Sequence, residues 1–469
     1  MDPDKVVHLP ALDQGRLIRR REITSEALTS AYLHRLDTLG RKLNALAFLM
    51  RDQAMEQARA ADREIAAGHV RSPIHGVPFG AKDLFAVRDV PCQWGSPAHA
   101  DQVFRFNAAA IEKLQAAGAV LVAKLAMIEL AGGGGYEYAS ASITGPCLNP
   151  WNMQRWAGGS SSGSGAAVAA GLVGFALGTE TWGSITVPSA FCGITGLRPT
   201  YGRISRFGAM ALSWTMDKIG PMARTAEDCA ILLTILAGPD ARDPSAWDQR
   251  FHYDPRGRLP RPVRLGLLPT DFGANEAHAA QQAFQEACSV LTTRLHAELA
   301  DAKLPDFPYD AAADTIISVE GASAFENLIR SPKLALLRDR SQQAGLLAGL
   351  AIPGVEYLRA MRVRTLAAPQ AVAIFQRFDA LIAPTLLHGA PPVSKSLDES
   401  WVHMGGNGGP GNLLGWPSIS LPMGFDADGL PLGLEIIGPP YGEAAILRLA
   451  QAFQSVTDWH RRIPVPDNA

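Results

Sequence analysis

Long apolar runs, paired cysteines and a strong charge of either sign are all missing from this chain, and each absence removes a class of function. The longest apolar run, Ala166 to Gly178, is rich in small residues and far below the roughly 20 residues a membrane helix needs. It reads instead as a buried helix entering a strand. The five cysteines (Cys92, Cys147, Cys192, Cys229, Cys288) are odd in number and scattered, with no pair at metal-ligand spacing. A disulfide framework and a structural zinc site are thereby excluded, and reduced thiols in the cytoplasm are expected. A formal charge of -2 gives no long-range attraction to nucleic acid or anionic membranes. The short basic run Arg19-Arg20-Arg21 reads as a solvated helix end. The charged start Met1-Asp-Pro-Asp-Lys5 offers no secretory signal, and neither a Gly/Ser linker nor an internal repeat divides the chain.

What is present is a globular composition, 47% hydrophobic and 19% charged over 469 residues, with ample apolar surface to bury. Helical patterns run from Thr24 to Leu39, capped by Thr24, and from Arg51 to Ala67. After Ser72-Pro73 the segment His75-Gly-Val-Pro-Phe79 reads as a strand edge. Helix then strand recurs at Ala108 to Lys124, at Ala166 to Thr179, at Thr225 to Ala237 followed by Val263 to Leu268, and at Phe378 to Ala383. Ser418 to Leu421 and Pro431 to Ile437 flank the turn Asp426 to Gly429 as a hairpin. The alternation predicts an α/β fold, a three-layer α/β/α sandwich around a central mixed β-sheet. Residues 1–70 are expected to form a helical segment packed on a core of residues 71–469, with a variable helical region over about 240–375.

Two serine-rich stretches and one lysine carry the chemistry. The stretch Trp156-Ala-Gly-Gly-Ser160-Ser-Ser-Gly-Ser-Gly165 precedes Gly178-Thr-Glu-Thr-Trp-Gly-Ser184-Ile-Thr-Val-Pro188. A serine hydroxyl needs a base and a set of donors for the oxyanion formed when it attacks a carbonyl. None of the eleven histidines stands in a context that recommends it as that base: His75 precedes a Gly-Val-Pro turn, and His388 and His403 lie in loop-like stretches. A lysine can serve if burial brings its pKa from about 10.4 toward roughly 7 to 8. Lys82, ending the apolar segment Val77-Pro-Phe-Gly-Ala81, is placed for that.

Two local patterns point elsewhere. Gly159-Ser-Ser161-Ser-Gly163 satisfies the G-x-S-x-G elbow, but the polar segment Asn149 to Trp156 before it is not the apolar strand that motif requires. The run Gly132-Gly-Gly-Gly135 could cradle phosphate, yet no Gly-Lys-Ser/Thr follows.

Together these stretches closely resemble the amidase signature family of serine hydrolases. Lys82 matches its lysine, Ser160 its bridging serine, and Ser184, 24 residues further on, its nucleophile. Pro188 to Arg203, Met216 to Arg224 and Gly411 to Pro422 continue the likeness, which runs from about residue 12 to residue 455. The resemblance implies a Lys82-Ser160-Ser184 relay, a cis non-proline bond on one side of Ser160, and an oxyanion hole of backbone N–H groups from Thr181, Trp182, Gly183 and Ser184. Gly132, Gly133, Gly134, Gly135, Tyr136, Ser161 and Trp182 are implied substrate contacts. Four residues depart from the pattern: Glu180 replaces aspartate, Trp182 a common glycine, Thr186 a common arginine and Ser162 a loop glycine. The expected protein is a free-standing hydrolase of a small-molecule amide, with anilides, carbamates or esters within reach. It would be a monomer or homodimer without cofactor, metal, nucleic acid or membrane. A glutamine-hydrolysing amidotransferase component that needs partner subunits, and an inactive binding protein blocked by Trp182, are the alternatives.

Overall fold

The computed structural model describes the whole chain except residues 256, 258, 260–261, 274–276, 402–407 and 466–469, so His403 lies outside the described residues. The strands of its main sheet are β1 (Leu46–Leu49), β2 (Pro78–Lys82), β3 (Val120–Leu125), β4 (Phe175–Glu180), β5 (Thr195–Arg198), β6 (Lys218–Ala223), β7 (Arg264–Leu267), β8 (Glu298–Asp301), β9 (Ala380–Pro384), β10 (Ser418–Phe425) and β11 (Pro431–Ile437). They form one 11-stranded sheet in the order β1-β3-β2-β4-β6-β5-β10-β11-β9-β7-β8. Strands β3, β2 and β4 run parallel, as do β9, β7 and β8, and the ladders between these groups are antiparallel. The sheet is therefore mixed, as the alternation predicts.

Both faces are covered, and side-chain alternation shows how. Phe175 and Leu177 of β4 join one buried cluster, while Ala176 between them joins another. Helices α1 (Ser25–Arg35), α2 (Arg51–Ala66) and α3 (Ala109–Ala116) precede the two motif helices, α4 (Ser162–Ala169) and α5 (Thr186–Cys192). The alanines of α4 pack in the cluster with Ala176, opposite α6 (Ala226–Leu236), whose leucines join Phe175. Alternate residues of a strand point to opposite faces, so a strand buried on both sides reads as continuously apolar.

Three local expectations change. The segment ending at Lys82 is not a strand edge: β2 is flanked by β3 and β4 and buried along its whole length, with Pro78 as its first residue, where a missing N–H is tolerated. The N-terminal 70 residues contribute β1 to the sheet as well as helices. The 240–375 region contains, besides β7, which the run Val263 to Leu268 predicts, the unexpected strand β8, in addition to α7 (His278–Thr293), α8 (Tyr309–Ala324), α9 (Arg340–Ala351) and α10 (Gly354–Val372). Two later helices complete the frame, α11 (Gly408–Leu413) and α12 (Glu443–Val456).

Candidate active site

Lys82 is the last residue of β2 and fully buried. Its Nζ lies 2.7 Å from Ser160 Oγ and donates to Thr179 Oγ1 at 3.0 Å. Ser160 Oγ lies 2.9 Å from Ser184 Oγ. Ser160 sits in the loop leading into α4, and the Gly159–Ser160 bond is cis, one of the two positions expected. Ser184 sits in the turn between β4 and α5, and its carbonyl accepts from Ser161 N at 3.2 Å, which ties the two serine stretches together.

Burial brings Lys82 down from 10.5 to about 7, against the opposing pull of Asp217 and Glu180. A lysine on the neighbouring strand shows why. Lys124 on β3 is just as buried, and burial alone would lower it too, but the Asp83 carboxylate at 2.7 Å reverses that and holds it above the ordinary lysine value. Among the described residues no carboxylate reaches ion-pair distance of Lys82. A lysine with a pKa of about 7 is substantially a neutral amine at neutral pH, and a neutral amine accepts a proton.

The turn holding Ser184 is braced by Glu180, the last residue of β4. Its Oε2 accepts from Ile185 N at 2.9 Å, Thr186 N at 3.0 Å and Thr186 Oγ1 at 3.2 Å. Its Oε1 accepts from Arg198 Nη1 at 2.7 Å and Asn412 Nδ2 at 3.0 Å. Burial would raise this carboxyl, but the Arg198 charge and these donors outweigh it and hold it at about 2. The two N–H groups after Ser184 are thus occupied, and among the described residues nothing accepts from the N–H groups of Gly183 or Ser184. Gly183 takes φ +79°, which a side chain would resist. Trp182 does not adopt a positive φ, so a bulky residue fits there without backbone strain. Thr181 Oγ1 donates to Asp217 at 2.6 Å and fixes the other side of the turn.

The remaining expected contacts divide. The Trp182 ring packs against an apolar cluster that includes Met216, Tyr309 and Ala313 of α8, and Leu413 of α11. Ser161 turns its hydroxyl to the backbone of Thr179, donating to the carbonyl at 3.2 Å and accepting from the N–H at 3.3 Å. Gly134 lets α9 approach, and Gly133 receives a bond from it. Gln342 Nε2 donates to Gly133 O at 3.0 Å, and a Cβ on Gly134 would meet Gln342 O at 2.6 Å. Gly132 and Gly135 have positive φ, and Tyr136 stands edge-on to Trp156 at 6.2 Å. The loop reaches the serines through Ile128 N, which donates to Ser160 O at 3.2 Å. A cavity of about 570 Å³ adjoins the site, lined in part by Ala131, Thr179, Thr181, Leu212 and Asp217. Among the described residues no group of His, Cys, Asp or Glu could hold a metal ion, and no helix is long and apolar enough to cross a membrane.

Sequence reasoning assigned no role to Thr179, Asp217, Arg198 or Asn412. Arg198 and Asn412 lie inside stretches quoted for their likeness, but a buried arginine becomes visible only when Glu180 is placed opposite it.

This fold and this lysine-serine-serine arrangement define a serine hydrolase acting on C–N bonds. The Amidase family matches residues 27–447, and the chain belongs to that family. It is 37% identical to a glutamyl-tRNA(Gln) amidotransferase subunit from Methylococcus capsulatus, across 95% of this chain and 96% of the relative. Among solved structures, the peptide amidase of Stenotrophomonas maltophilia is 32% identical with a TM-score of 0.86, covering 98% of this chain and 99% of its own. A protein from a vestigial complex bearing on the origin of an s-triazine catabolic enzyme is 30% identical with a TM-score of 0.87, covering 95% and 98%. These relatives overturn one expectation. A free-standing monomer or homodimer meeting only a small amide or carbamate does not fit a relative that is, by name, one subunit of an amidotransferase. The error has a physical source: the serine and lysine stretches are local in sequence, whereas a surface that meets a partner carries no such local pattern.

Proposed function

We propose that Ser184 is the nucleophile of an amide-cleaving reaction and that the chain performs it as the glutamine-hydrolysing subunit of an amidotransferase-type assembly. The observation that carries the chemistry is the unbroken chain of contacts, 2.7 Å and 2.9 Å, from a lysine with a pKa of about 7 to Ser184. With Lys82 neutral, the hydrogen bonds run toward it. Ser184 gives its proton to Ser160, Ser160 gives its own to Lys82, and Ser184 Oγ attacks the amide carbonyl. Negative charge collects on the carbonyl oxygen, where the N–H groups of the Thr181 to Ser184 turn stabilise it. The proton returns along the same path to the departing nitrogen, which leaves as ammonia, and water then releases the acyl group from Ser184. No step needs a cofactor. The assembly reading rests on the 37% identity to one component of an amidotransferase over nearly the whole chain.

A second substrate reading, the terminal amide of a peptide, is favoured by one feature. A bulky apolar ring, Trp182, stands in the turn that carries Ser184, which suits a bulkier acyl group than that of glutamine, and the peptide amidase is similar along its full length.

Fluorophosphonate treatment followed by peptide mapping tests the nucleophile: an adduct on Ser184 is expected, and one on Ser161 refutes the relay. Product release is then measured for each substrate: ammonia from glutamine and a peptide amide, the aryl amine from an anilide, and the amine from a carbamate. Glutamine turnover that rises when partner subunits of the amidotransferase type are added supports the assembly. Full turnover of the anilide or carbamate by the chain alone, with none of glutamine, overturns it.

A further inference from the structure

Five of the six residues 130–135 take a positive φ: Leu130 (+48°), Ala131 (+55°), Gly132 (+89°), Gly134 (+86°) and Gly135 (+81°). Glycine follows such a course freely. Leu130 and Ala131 do not, and residues with side chains stay left-handed only where their surroundings hold them there. The stretch does not hold itself. Its own turns use the carbonyls of Ile128, Leu130 and Gly132, whereas those of Glu129 and Gly133 accept no backbone hydrogen bond among the described residues. Yet this loop reaches the chemistry at both ends. Ile128 N donates to Ser160 O at 3.2 Å, Ala131 lines the cavity that adjoins the site, and a Cβ on Gly133 would meet Leu212, another lining residue, at 2.8 Å.

What holds the loop comes from the start of α9, far away in sequence. Gln342, fully buried, donates through Nε2 to Glu129 O at 2.8 Å and to Gly133 O at 3.0 Å, so one amide serves both carbonyls that the loop leaves over. Asp339 works with both carboxylate oxygens. Oδ1 caps α9 by accepting from Ser341 N at 2.9 Å and Gln342 N at 3.2 Å, while Oδ2 accepts from Glu137 N at 2.9 Å and Tyr138 N at 3.0 Å at the far end of the loop. Between these two ties the backbones touch: a Cβ on Gly345 would meet Gly134 O at 1.7 Å. The helix itself is fixed from its other side, with Leu346 buried in the cluster that holds Ala322 and Phe325, and with Gly349 so close to α8 that a Cβ would meet Ser318 O at 2.6 Å. The helix is therefore the base, and the loop is what it positions.

We propose that Asp339 and Gln342 are positioning residues of the amide-cleaving reaction: through residues 130–135 they set the wall of the adjoining cavity against which the acyl part of the substrate rests. Neither touches the reacting atoms. The hydrogen bonds that link Lys82, Ser160 and Ser184 involve no residue of α9, so loosening the loop weakens substrate binding and leaves the proton relay intact. A loss of that kind raises KM and spares kcat. The inference rests on Ser184 as the nucleophile and adds to it the distant residues that shape its substrate site.

Two variants disturb the tie in different ways: Gln342→Ala removes both donors, and Gly345→Ala pushes the helix off the loop without removing any hydrogen-bonding group. For the better substrate of glutamine and a peptide amide, each should raise KM about tenfold or more, with kcat and the rate of Ser184 labelling by a short-chain fluorophosphonate within about threefold of wild type. Gln343→Ala is the control. Its side chain donates to Leu337 O at 3.0 Å and ties α9 to its own lead-in segment rather than to the loop, so KM should stay at the wild-type value. Hydrogen-exchange mass spectrometry gives a reading that needs no turnover: the amides of residues 130–135 should exchange about tenfold faster in Gln342→Ala, and in Ser184→Ala they should be slowed when that substrate is bound. Should the α9 variants fail to fold, the exchange of Ser184→Ala with and without substrate decides. A fall in kcat with KM unmoved, KM unmoved in both variants, the same rise in Gln343→Ala, or exchange at residues 130–135 that bound substrate does not slow each overturns the inference. Ser184 labelled with KM unmoved refutes the positioning role alone, whereas absent labelling of the wild-type chain refutes the proposed chemistry.

Discussion

Replacing Glu180 with glutamine separates the brace beneath the nucleophile from the nucleophile itself. The carboxylate accepts five hydrogen bonds, three from Ile185 and Thr186 and two from Arg198 and Asn412. A glutamine has the same shape but only one accepting oxygen, so its NH₂ must face one of those donor sets. The Arg198 charge, fully buried, holds the oxygen on its own side, and the NH₂ is left against the N–H groups of Ile185 and Thr186. Breaking a buried charge pair from one side costs about 3–5 kcal/mol, so denaturant unfolding of Glu180→Gln should lose stability on that scale. The turn that positions Ser184 and its donors then shifts, and losing one aligned donor lowers kcat by about a hundredfold or more. KM should move much less, because the donors act chiefly on the charge that develops during attack. A pH series adds a check. A carboxyl held at about 2 instead of 4.5 contributes stability that is complete above 4.5 and lost as pH falls toward 2, so wild type should weaken across that window while Glu180→Gln stays flatter. A folded Glu180→Gln enzyme with kcat within threefold of wild type refutes the brace.

Three further outcomes are expected. Because neutral Lys82 is the working form and its pKa is about 7, kcat/KM should rise about tenfold per pH unit below that value and level off above it. A rate that falls as pH rises through 7 refutes the lysine's role. Lys82→Ala, Ser160→Ala and Ser184→Ala should each lose most of the activity, with the double variants little worse than the singles because the three act as one unit; additive losses contradict the relay. Trp182→Gly should reorder preference among acyl groups while the best kcat stays within about tenfold, a barrier change near 1.4 kcal/mol; equal loss on every substrate means that the ring braces the turn instead.

The legible parts of the molecule are those whose pattern is local. The hairpin of β10 and β11 is visible in its turn, where Asp426 accepts from Asp428 N and Leu430 N, and β3 in its unbroken apolar run after Gly118. Strands β5 and β6 are hidden because they break the rules by which strands are recognised. β6 reads Lys-Ile-Gly-Pro-Met-Ala and lies between β4 and β5, with Pro221 opposite Leu177 in a central ladder. Proline is ordinarily confined to edges and bulges, and lysine to surfaces. β5 ends at Arg198, a charge that reads as solvent-facing until Glu180 is set against it. β8, Glu-Leu-Ala-Asp, is hidden for the opposite reason: it is an exposed edge, and its acidic ends discourage pairing with another chain.

The same contrast governs the site. Lys82, Ser160 and Ser184 were readable because each stands in a short stretch whose glycines and serines have one chemical use. What surrounds them is assembled over long separations: Arg198 and Asn412 converge on Glu180, Asp217 holds Thr181, and α8 and α11 pack against Trp182. These contacts hold the turn that carries Ser184, and their residues come together only in three dimensions. A nucleophile must sit in one exact backbone geometry, which restricts its neighbours in sequence. A pocket wall needs only volume and polarity, which many residues supply. The chemistry of this chain is therefore written in its sequence far more plainly than its choice of substrate, and Trp182, a bulky ring carried inside the catalytic turn itself, is where the two can be tested together.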